Sequence, residues 1–370
     1  MARVPNSRPL HFVQIGDLHV TDNGLQNHRD FLRIVEELNG NVGDKVDFVY
    51  LPGDNADDGT DEQFAIVRDG LKRLQLPWRA IPGDHDFKPR SLTSFYDGLY
   101  VPKLPHAQEV NGCVCLFLDV VSQGTGGPDF KLGGQQFDWL KLRLGAAKEE
   151  GKTCVVFMHA YPADLGDEAE ALTQLLDESS TLLVAMGHTH YNEISHDGRT
   201  VYAATRSTGQ IEEGPVGFAF MAVDGNAVSW RFKPLESSWP FVMITSPADR
   251  RLSFEGDADG RPTEVRATAW GAAPTAHADL RVDDGPWLRM SSIEGGRFSA
   301  PFRSDKAHRL EVRVTDQNGS QDIDAIEWDP DGKCGRKSSG SDTNSIGAWP
   351  ERHRSEERRV GKECRSRWSP

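Results

Sequence analysis

Phe48-Val49-Tyr50-Leu51-Pro52-Gly53-Asp54-Asn55 is an apolar run that breaks off at a glycine and two polar side chains. Its first four positions are all apolar, as in a strand covered on both faces. The glycine lets backbone come close behind the carboxylate. The same design recurs along the chain. His11–Gly16 leads into Asp17-Leu18-His19, Trp78–Ile81 into Gly83-Asp84-His85-Asp86, Thr153–Met158 into His159, and Thr181–Met186 into Gly187-His188-Thr189-His190. Side chains suited to hard cations thus gather where strands end, and open α/β sheets place their sites at the carboxyl ends of strands.

Helical patterns at Arg29–Asn39, Asp61–Leu74, Gly134–Glu149 and Asp167–Asp177 separate these runs. Cys113–Val121 adds a further strand. Val201–Thr205, Gly217–Val223 and Ala227–Phe232 alternate and are bounded by the turn signals Asp197-Gly198 and Asp224-Gly225. Residues 1–235 therefore read as one layered α/β unit whose sheet turns antiparallel late in the chain. From 240 to 330 the helical period disappears. Phe241–Thr245, Arg251–Glu255, Thr263–Trp270, Ala278–Val282, Arg297–Ala300, His308–Thr315 and Asp322–Trp328 recur as short alternating runs. That texture suits a β-sandwich and resembles immunoglobulin-like accessory domains, with Pro234–Pro240 as linker. Trp270 and Trp287 fit either its core or a binding face. Residues 331–370 differ again: Lys333–Pro370 holds ten Lys/Arg against five Asp/Glu, and Ser338–Ser345 is polar and of low complexity. A basic, disordered or adventitious tail is expected there.

The bulk properties narrow the function. A chain of 370 residues with net charge −14 and pI near 5.3 is a poor surface for a nucleic-acid polymer, though a small phosphorylated substrate is compatible with it. No apolar run approaches the length of a membrane span. The amino-terminal residues carry no signal-peptide pattern, so a cytoplasmic protein is expected. Of the five cysteines, Cys113, Cys115 and Cys154 lie in strand-like runs as small hydrophobes, and no disulfide framework is indicated. His11, His28, His106, His196, His277, His308 and His353 match no motif and are expected in surface or capping roles. Neither a G-x-S-x-G elbow, a phosphate-binding G-x-x-x-x-G-K-[ST] loop nor an H-E-x-x-H helix is present. Gly124-Thr125-Gly126-Gly127 reads as a flexible loop near the site, able to act as a lid.

Carboxylate and imidazole donors with an open coordination position are what a water-activating divalent cation needs, and two such cations can clamp an in-line phosphoryl displacement. The motifs Asp17-Leu18-His19, Gly53-Asp54-Asn55-Ala56-Asp57-Asp58-Gly59, Gly83-Asp84-His85-Asp86, His159 and Gly187-His188-Thr189-His190 resemble, in order, those of the calcineurin-like metallophosphoesterases. The resemblance covers residues 10–235 and is closest to the bacterial branch containing class III cyclic-nucleotide phosphodiesterases. It implies a layered β-sandwich core flanked by helices, and two divalent metal ions (manganese, iron or zinc). Asp17, His19 and His190 would hold one ion, Asp84, His159 and His188 the other, with Asp54 bridging. His85 would serve the leaving oxygen, oriented by Asp57. The implied activity is phosphodiester hydrolysis, of cyclic nucleotides or small organic diesters, by attack of a metal-bridging hydroxide.

Asp84 departs from the family pattern, which has Asn there. An added carboxylate favours harder ions such as manganese and weakens the pull on phosphate. A phosphomonoesterase of the same superfamily, and a binding or scaffold protein with a degenerate site, stay open as alternatives. The expected partner is a small phosphoester, with no membrane and a homo-oligomer allowed. Asp22–Asn27, Lys88–Tyr100 and Val121–Gly133 are the loops expected to set specificity.

Overall fold

The computed structural model describes residues 8–197, 199–211, 214–253 and 262–330; the expected basic tail lies outside them. Two sheets form the amino-terminal part. The first has five strands in the order β11-β10-β1-β2-β3, with β1 Leu10–Gln14, β2 Phe48–Leu51, β3 Trp78–Ala80, β10 Gly217–Asp224 and β11 Ala227–Pro234. Within it β1, β2 and β3 are parallel, while β10 and β11 run antiparallel. The second has six strands in the order β4-β5-β6-β7-β9-β8, comprising β4 His106–Val110, β5 Cys113–Phe117, β6 Thr153–Phe157, β7 Thr181–Met186, β8 Glu193–His196 and β9 Val201–Ala204. Its central strands β5, β6, β7 and β9 are parallel.

Alternate residues of both sheets meet in one apolar layer that includes Phe12, Phe48, Tyr50, Phe117, Phe157, Met221 and Trp230. The Phe157 ring lies 5.3 Å from Phe12, 4.7 Å from Tyr50 and 4.5 Å from Phe117, which fixes the sheets face to face. The opposite faces carry the helices. In α1 (Gln26–Asn41), Phe31, Ile34, Val35 and Leu38 are buried at helical spacing. In α4 (Gly134–Glu149) the buried positions are Gln136, Leu140, Leu144 and Ala147. Helices α2 (Asp61–Leu71) and α5 (Ala169–Asp177) complete the crossovers between parallel strands. This is the mixed α/β arrangement of sheets and helices expected from the alternation of runs.

Local differences from the sequence reading have simple causes. The Lys88–Tyr100 stretch holds a seven-residue helix, α3 (Thr93–Leu99), too short to show a period. Strand β4 (sequence HAQEV) is half-buried except at the exposed Glu109 and lacks an apolar run. Arg251–Glu255, expected as a strand, begins instead with a 3-10 turn at Arg250–Leu252 capped by the Asp249 side chain. Cys113, Cys115 and Cys154 are buried. Among the described residues, no helix is long and apolar enough to cross a membrane.

Beyond the turn that follows β11, two antiparallel four-stranded sheets share a second apolar core, which includes Val242, Ile244, Leu280, Phe298, Val312 and Trp328. One runs β12-β13-β17-β16 and the other β15-β14-β18-β19. Their strands are β12 Phe241–Ser246, β13 Glu264–Trp270, β14 Thr275–Val282, β15 Leu288–Arg289, β16 Ser291–Ile293, β17 Arg297–Pro301, β18 His308–Asp316 and β19 Gln321–Trp328. The pair is fastened to β10: the Phe220 ring lies 4.4 Å from Trp270 and 4.9 Å from Phe241. Trp270 is therefore an anchor to the first sheet, fully buried, and not a surface ligand. The guanidinium groups of Arg281 and Arg313 lie over the Trp287 ring, 4.6 Å and 4.3 Å from its centroid.

His11 belongs to the same seam. Instead of capping a surface element, it is buried, its Nε2 lies 3.2 Å from Thr268 Oγ1, and its ring meets Trp270 edge-on. Burial, helped by Arg8 and Arg297, lowers its pKa to about 3. An unfolded chain takes up this proton near 6.5, the folded chain only near 3, so the stabilisation is complete above 6.5 and is lost as pH falls across that window. His11→Gln is expected to flatten the pH dependence of unfolding between pH 6 and pH 4, by up to about 1.4 kcal/mol per pH unit. Urea unfolding curves at several pH values check this; an unchanged slope contradicts it.

Candidate metal centre

The parallel strands of both sheets deliver their ends to one place. Asp17 and His19 follow β1, Asp54 follows β2, Asp84 and His85 follow β3, His159 follows β6, and His188 and His190 follow β7. Four of these residues turn there with left-handed backbone: φ is 43° at His19, 49° at Asp54, 66° at His188 and 62° at His190. Such conformations cost on the order of 1–3 kcal/mol each and persist only when the surroundings over-determine them. Here the strand-end loops are laced together. His19 N–H donates to the Asp54 carbonyl at 2.8 Å, Asp57 N–H to the Val20 carbonyl at 3.1 Å, and Gly187 N–H to the His159 carbonyl at 3.0 Å. Gly53, at φ 116°, is where only glycine fits, since a Cβ would lie 2.3 Å from His159 Nδ1.

The donor atoms fall into two groups, each within 4.8 Å: Asp17, His19, Asp54 and His190, and Asp54, Asp84, His159 and His188. Asp54 belongs to both. Its Oδ1 accepts the His85 backbone N–H at 2.9 Å, leaving Oδ2 at 3.7 Å from His19 Nε2 and 3.5 Å from His159 Nε2. Around the first group, His19 Nε2 and His190 Nε2 approach to 3.1 Å, and His190 Nε2 lies 3.6 Å from Asp17 Oδ2. In the second, Asp84 Oδ1 lies 3.2 Å from His159 Nε2 and 3.4 Å from His188 Nδ1. The His159 Nδ1 proton goes to the Pro52 carbonyl at 2.8 Å, turning Nε2 toward the group. Phe130, itself buried, sets its ring 4.8 Å from His188 and walls off that side.

His85 stands beside the first group, its ring edge-on to that of His19 with centroids 4.5 Å apart. Its Nδ1 is 2.8 Å from the Asp57 carbonyl and 3.1 Å from Asp57 Oδ1. Burial opposes a charged ring, but Asp54, Asp57 and Asp84 outweigh it and push His85 up to about 9. Asp57 also takes on more than orientation of His85: the same Oδ1 lies 3.1 Å from His19 Nδ1. Its two imidazole contacts hold Asp57 below the usual carboxylate range against burial.

The electrostatics show a site short of positive charge. Asp17 is completely buried, its Oδ1 has no hydrogen-bond partner among the described residues, and burial pushes its carboxyl up. At Asp54, burial and Asp84 push the same way, but His159 and His85 win and hold the carboxyl down. At Asp84, burial is overcome by His159 and His188. His159 in turn is raised well above its ordinary value: burial disfavours its charge, yet Asp54 and Asp84 demand it. Burial and the adjacent His19 lower His190 to about 3, so its lone pair is free of a proton at neutral pH. Hard oxygens, neutral imidazole and an orphaned buried carboxylate oxygen fit divalent cations well.

The nine residues singled out from sequence are thus brought together: seven in the two donor groups, with His85 and Asp57 alongside. Others emerge only from the folded chain. Asp86, fully buried, accepts N–H groups from Gly83, Asn55 and Ala56 and the Asn55 side-chain amide, at 2.9–3.2 Å, and so ties the second loop to the third. Its place in the motif was visible, its job was not. Gln210 and Phe130 carry no motif at all. Within the loop that holds Gly124–Gly127, the Thr125 N–H and hydroxyl both donate to Asp129 Oδ2 at 2.8 Å.

Two carboxylate–imidazole groups sharing one carboxylate at the ends of parallel strands define a metal-dependent hydrolase. Residues 10–192 match the calcineurin-like phosphoesterase family, and the chain carries a calcineurin-like metallophosphoesterase domain, which makes it a phosphoric ester hydrolase. It is 26% identical over 205 residues to a probable glycerophosphodiester phosphodiesterase, GpdQ, of Arcobacter nitrofigilis, covering 48% of this chain and 71% of that one. It is 26% identical over 241 residues to the 3',5'-cyclic adenosine monophosphate phosphodiesterase CpdA of Vibrio vulnificus, covering 60% and 84%. Among solved structures, a dimetal phosphatase of Danio rerio shares the fold at TM-score 0.50 and 16% identity, covering 62% of this chain and 97% of that one.

The close approach of the loops yields a test. A Cβ on Gly83 would lie 2.2 Å from Asp54 Oδ1. Gly83→Ala is expected to lower phosphoester turnover about 100-fold or more, because displacing a shared ligand by even 1 Å is costly. Circular dichroism should stay unchanged. Retention of near wild-type turnover contradicts the placement of Asp54.

Proposed function

We propose that the chain hydrolyses small phosphodiesters with two divalent cations, and the observation that carries this reading is Asp54 Oδ2, aimed at imidazoles of both donor groups. Asp17, His19 and His190 would hold one cation and Asp84, His159 and His188 the other, the pair supplying Lewis acidity toward phosphoryl oxygens and acidification of water. His85 acts on the departing alkoxide. With Nδ1 turned to Asp57, its Nε2–H is the proton available for the leaving oxygen, and the raised pKa keeps it charged near neutral pH. Asp57 holds that ring while holding His19 as well. Phe130 keeps water from the flank of the second group.

The relatives' names favour diesters, and Asp84 supplies a physical reason for this chain. Three carboxylates against two divalent cations leave one net positive charge, where Asn would leave two. The lower charge penalises a monoester dianion more than a diester monoanion. In the same reading, residues 1–235 are the catalytic unit. Residues 240–330 are an immunoglobulin-like β-sandwich that buttresses β10; its two sheets around one core support this.

Metal analysis by mass spectrometry after manganese loading is expected to give two ions per chain. Bis(p-nitrophenyl) phosphate should be cleaved in preference to p-nitrophenyl phosphate. Under one ion per chain with no hydrolysis favours a binding protein, and a strong monoester preference favours a phosphatase. Asp84→Asn is expected to lower the diester-to-monoester ratio of kcat/KM about tenfold and to weaken manganese binding. An unchanged ratio removes Asp84 as the source of the preference.

A further inference from the structure

We infer that Gln210 is a positioning residue for the leaving-group step, acting through the Asp57 carboxylate; this rests on the two-metal reading above. Gln210 lies in the segment after β9, which folds back on the first motif. Thr208 and Gly209 N–H groups donate to the Asp17 carbonyl, each at 3.0 Å. The Ser207 hydroxyl donates to that carbonyl at 2.8 Å and accepts the Gln210 N–H at 2.8 Å. The backbone of Gln210 is thereby fixed to the strand end that carries Asp17 and His19.

Its side chain reaches the point where the two halves of the site meet. Gln210 Nε2 lies 3.2 Å from Asp57 Oδ1 and 3.2 Å from His19 Nδ1. Asp57 Oδ1 is also 3.1 Å from the Nδ1 atoms of both His19 and His85. For His19 to offer Nε2 to a cation, its proton must sit on Nδ1 and point to Asp57. Gln210 then donates to Asp57 Oδ1, while the His19 Nδ1–H is already committed to the same oxygen. The flipped amide would accept from His19 but set its oxygen against an ionised carboxylate oxygen at the same distance, and the full charge of Asp57 decides for the donor orientation. Three N–H groups thus converge on one oxygen, and Gln210 is the one that belongs to neither imidazole. It holds the carboxylate still while His85 gives up its Nε2 proton and its Nδ1–H bond to Asp57 weakens. Water-derived hydroxide forms a new P–O bond as the ester P–O bond breaks, the leaving oxygen takes the His85 proton, and Asp57 remains ionised.

Replacing Gln210 by methionine keeps the length and removes the donor. Alkyl esters, which need protonation of a poor leaving group, should lose about tenfold in kcat in Gln210→Met, and p-nitrophenyl esters less than twofold. KM and metal content should hold within twofold. Gln210→Glu, which sets a second carboxylate against Asp57, should lose more. An equal loss for good and poor leaving groups, or no loss, overturns the assignment. Wild-type protein that retains no metal and cleaves neither ester class overturns the parent reading first, and this one with it. A fall in metal content in Gln210→Met with leaving-group dependence unchanged makes Gln210 a support for His19 alone and also overturns it.

Discussion

Three carboxylates, Asp17, Asp54 and Asp84, are buried with Asp54 within reach of both others, and that constraint governs the amino-terminal part of this protein. Unpaired charges of one sign cannot be buried so closely without compensation. The chain answers with imidazoles and backbone N–H groups: His188 N–H on Asp17 at 2.7 Å, His85 N–H on Asp54 at 2.9 Å, and His159 beside Asp54 and Asp84. The compensation is incomplete at Asp17 Oδ1, so divalent cations are what the arrangement is built to accept. A proton on His159 supplies part of the same charge, and cation binding would release it.

The fold serves this concentration of charge. Two facing sheets aim the carboxyl ends of their parallel strands at one edge, and the aromatic layer of Phe12, Tyr50, Phe117 and Phe157 holds them rigidly apart. Rigidity matters because four donor-bearing residues sit in left-handed backbone, which relaxes unless neighbouring loops prevent it. The carboxy-terminal sheets contribute at a distance. Trp270 and Phe241 cover the outer face of β10, which pairs with β1 beneath the first donor group.

Much of this was legible in the sequence because each donor lies in a short contiguous motif directly behind an apolar run. Burial on both faces made β2 and β6 plain, and the glycines at 53, 83 and 187 marked close backbone approach. The half-exposed strand β4, the short helix α3 and the two- and three-residue strands β15 and β16 left no periodic trace. Contacts between distant segments were beyond reach for a different reason. The Gln210–Asp57 pair spans 153 positions, and a lone glutamine in a loop looks like any other. Trp270 read as either core or binding face of its own sheet pair, whereas its packing partner Phe220 belongs to another sheet. The dual grip of Asp57 on His19 and His85 likewise required the loops to be seen together.

The central claim is that one Asp54 oxygen joins two cation sites. Electron paramagnetic resonance of protein loaded with two manganese ions tests it most directly. A shared carboxylate holds the ions close enough for exchange coupling, so the wild-type spectrum should be that of a coupled pair, and Asp54→Ala should abolish it. Fully loaded wild-type protein that shows only the six-line signal of isolated manganese contradicts the account.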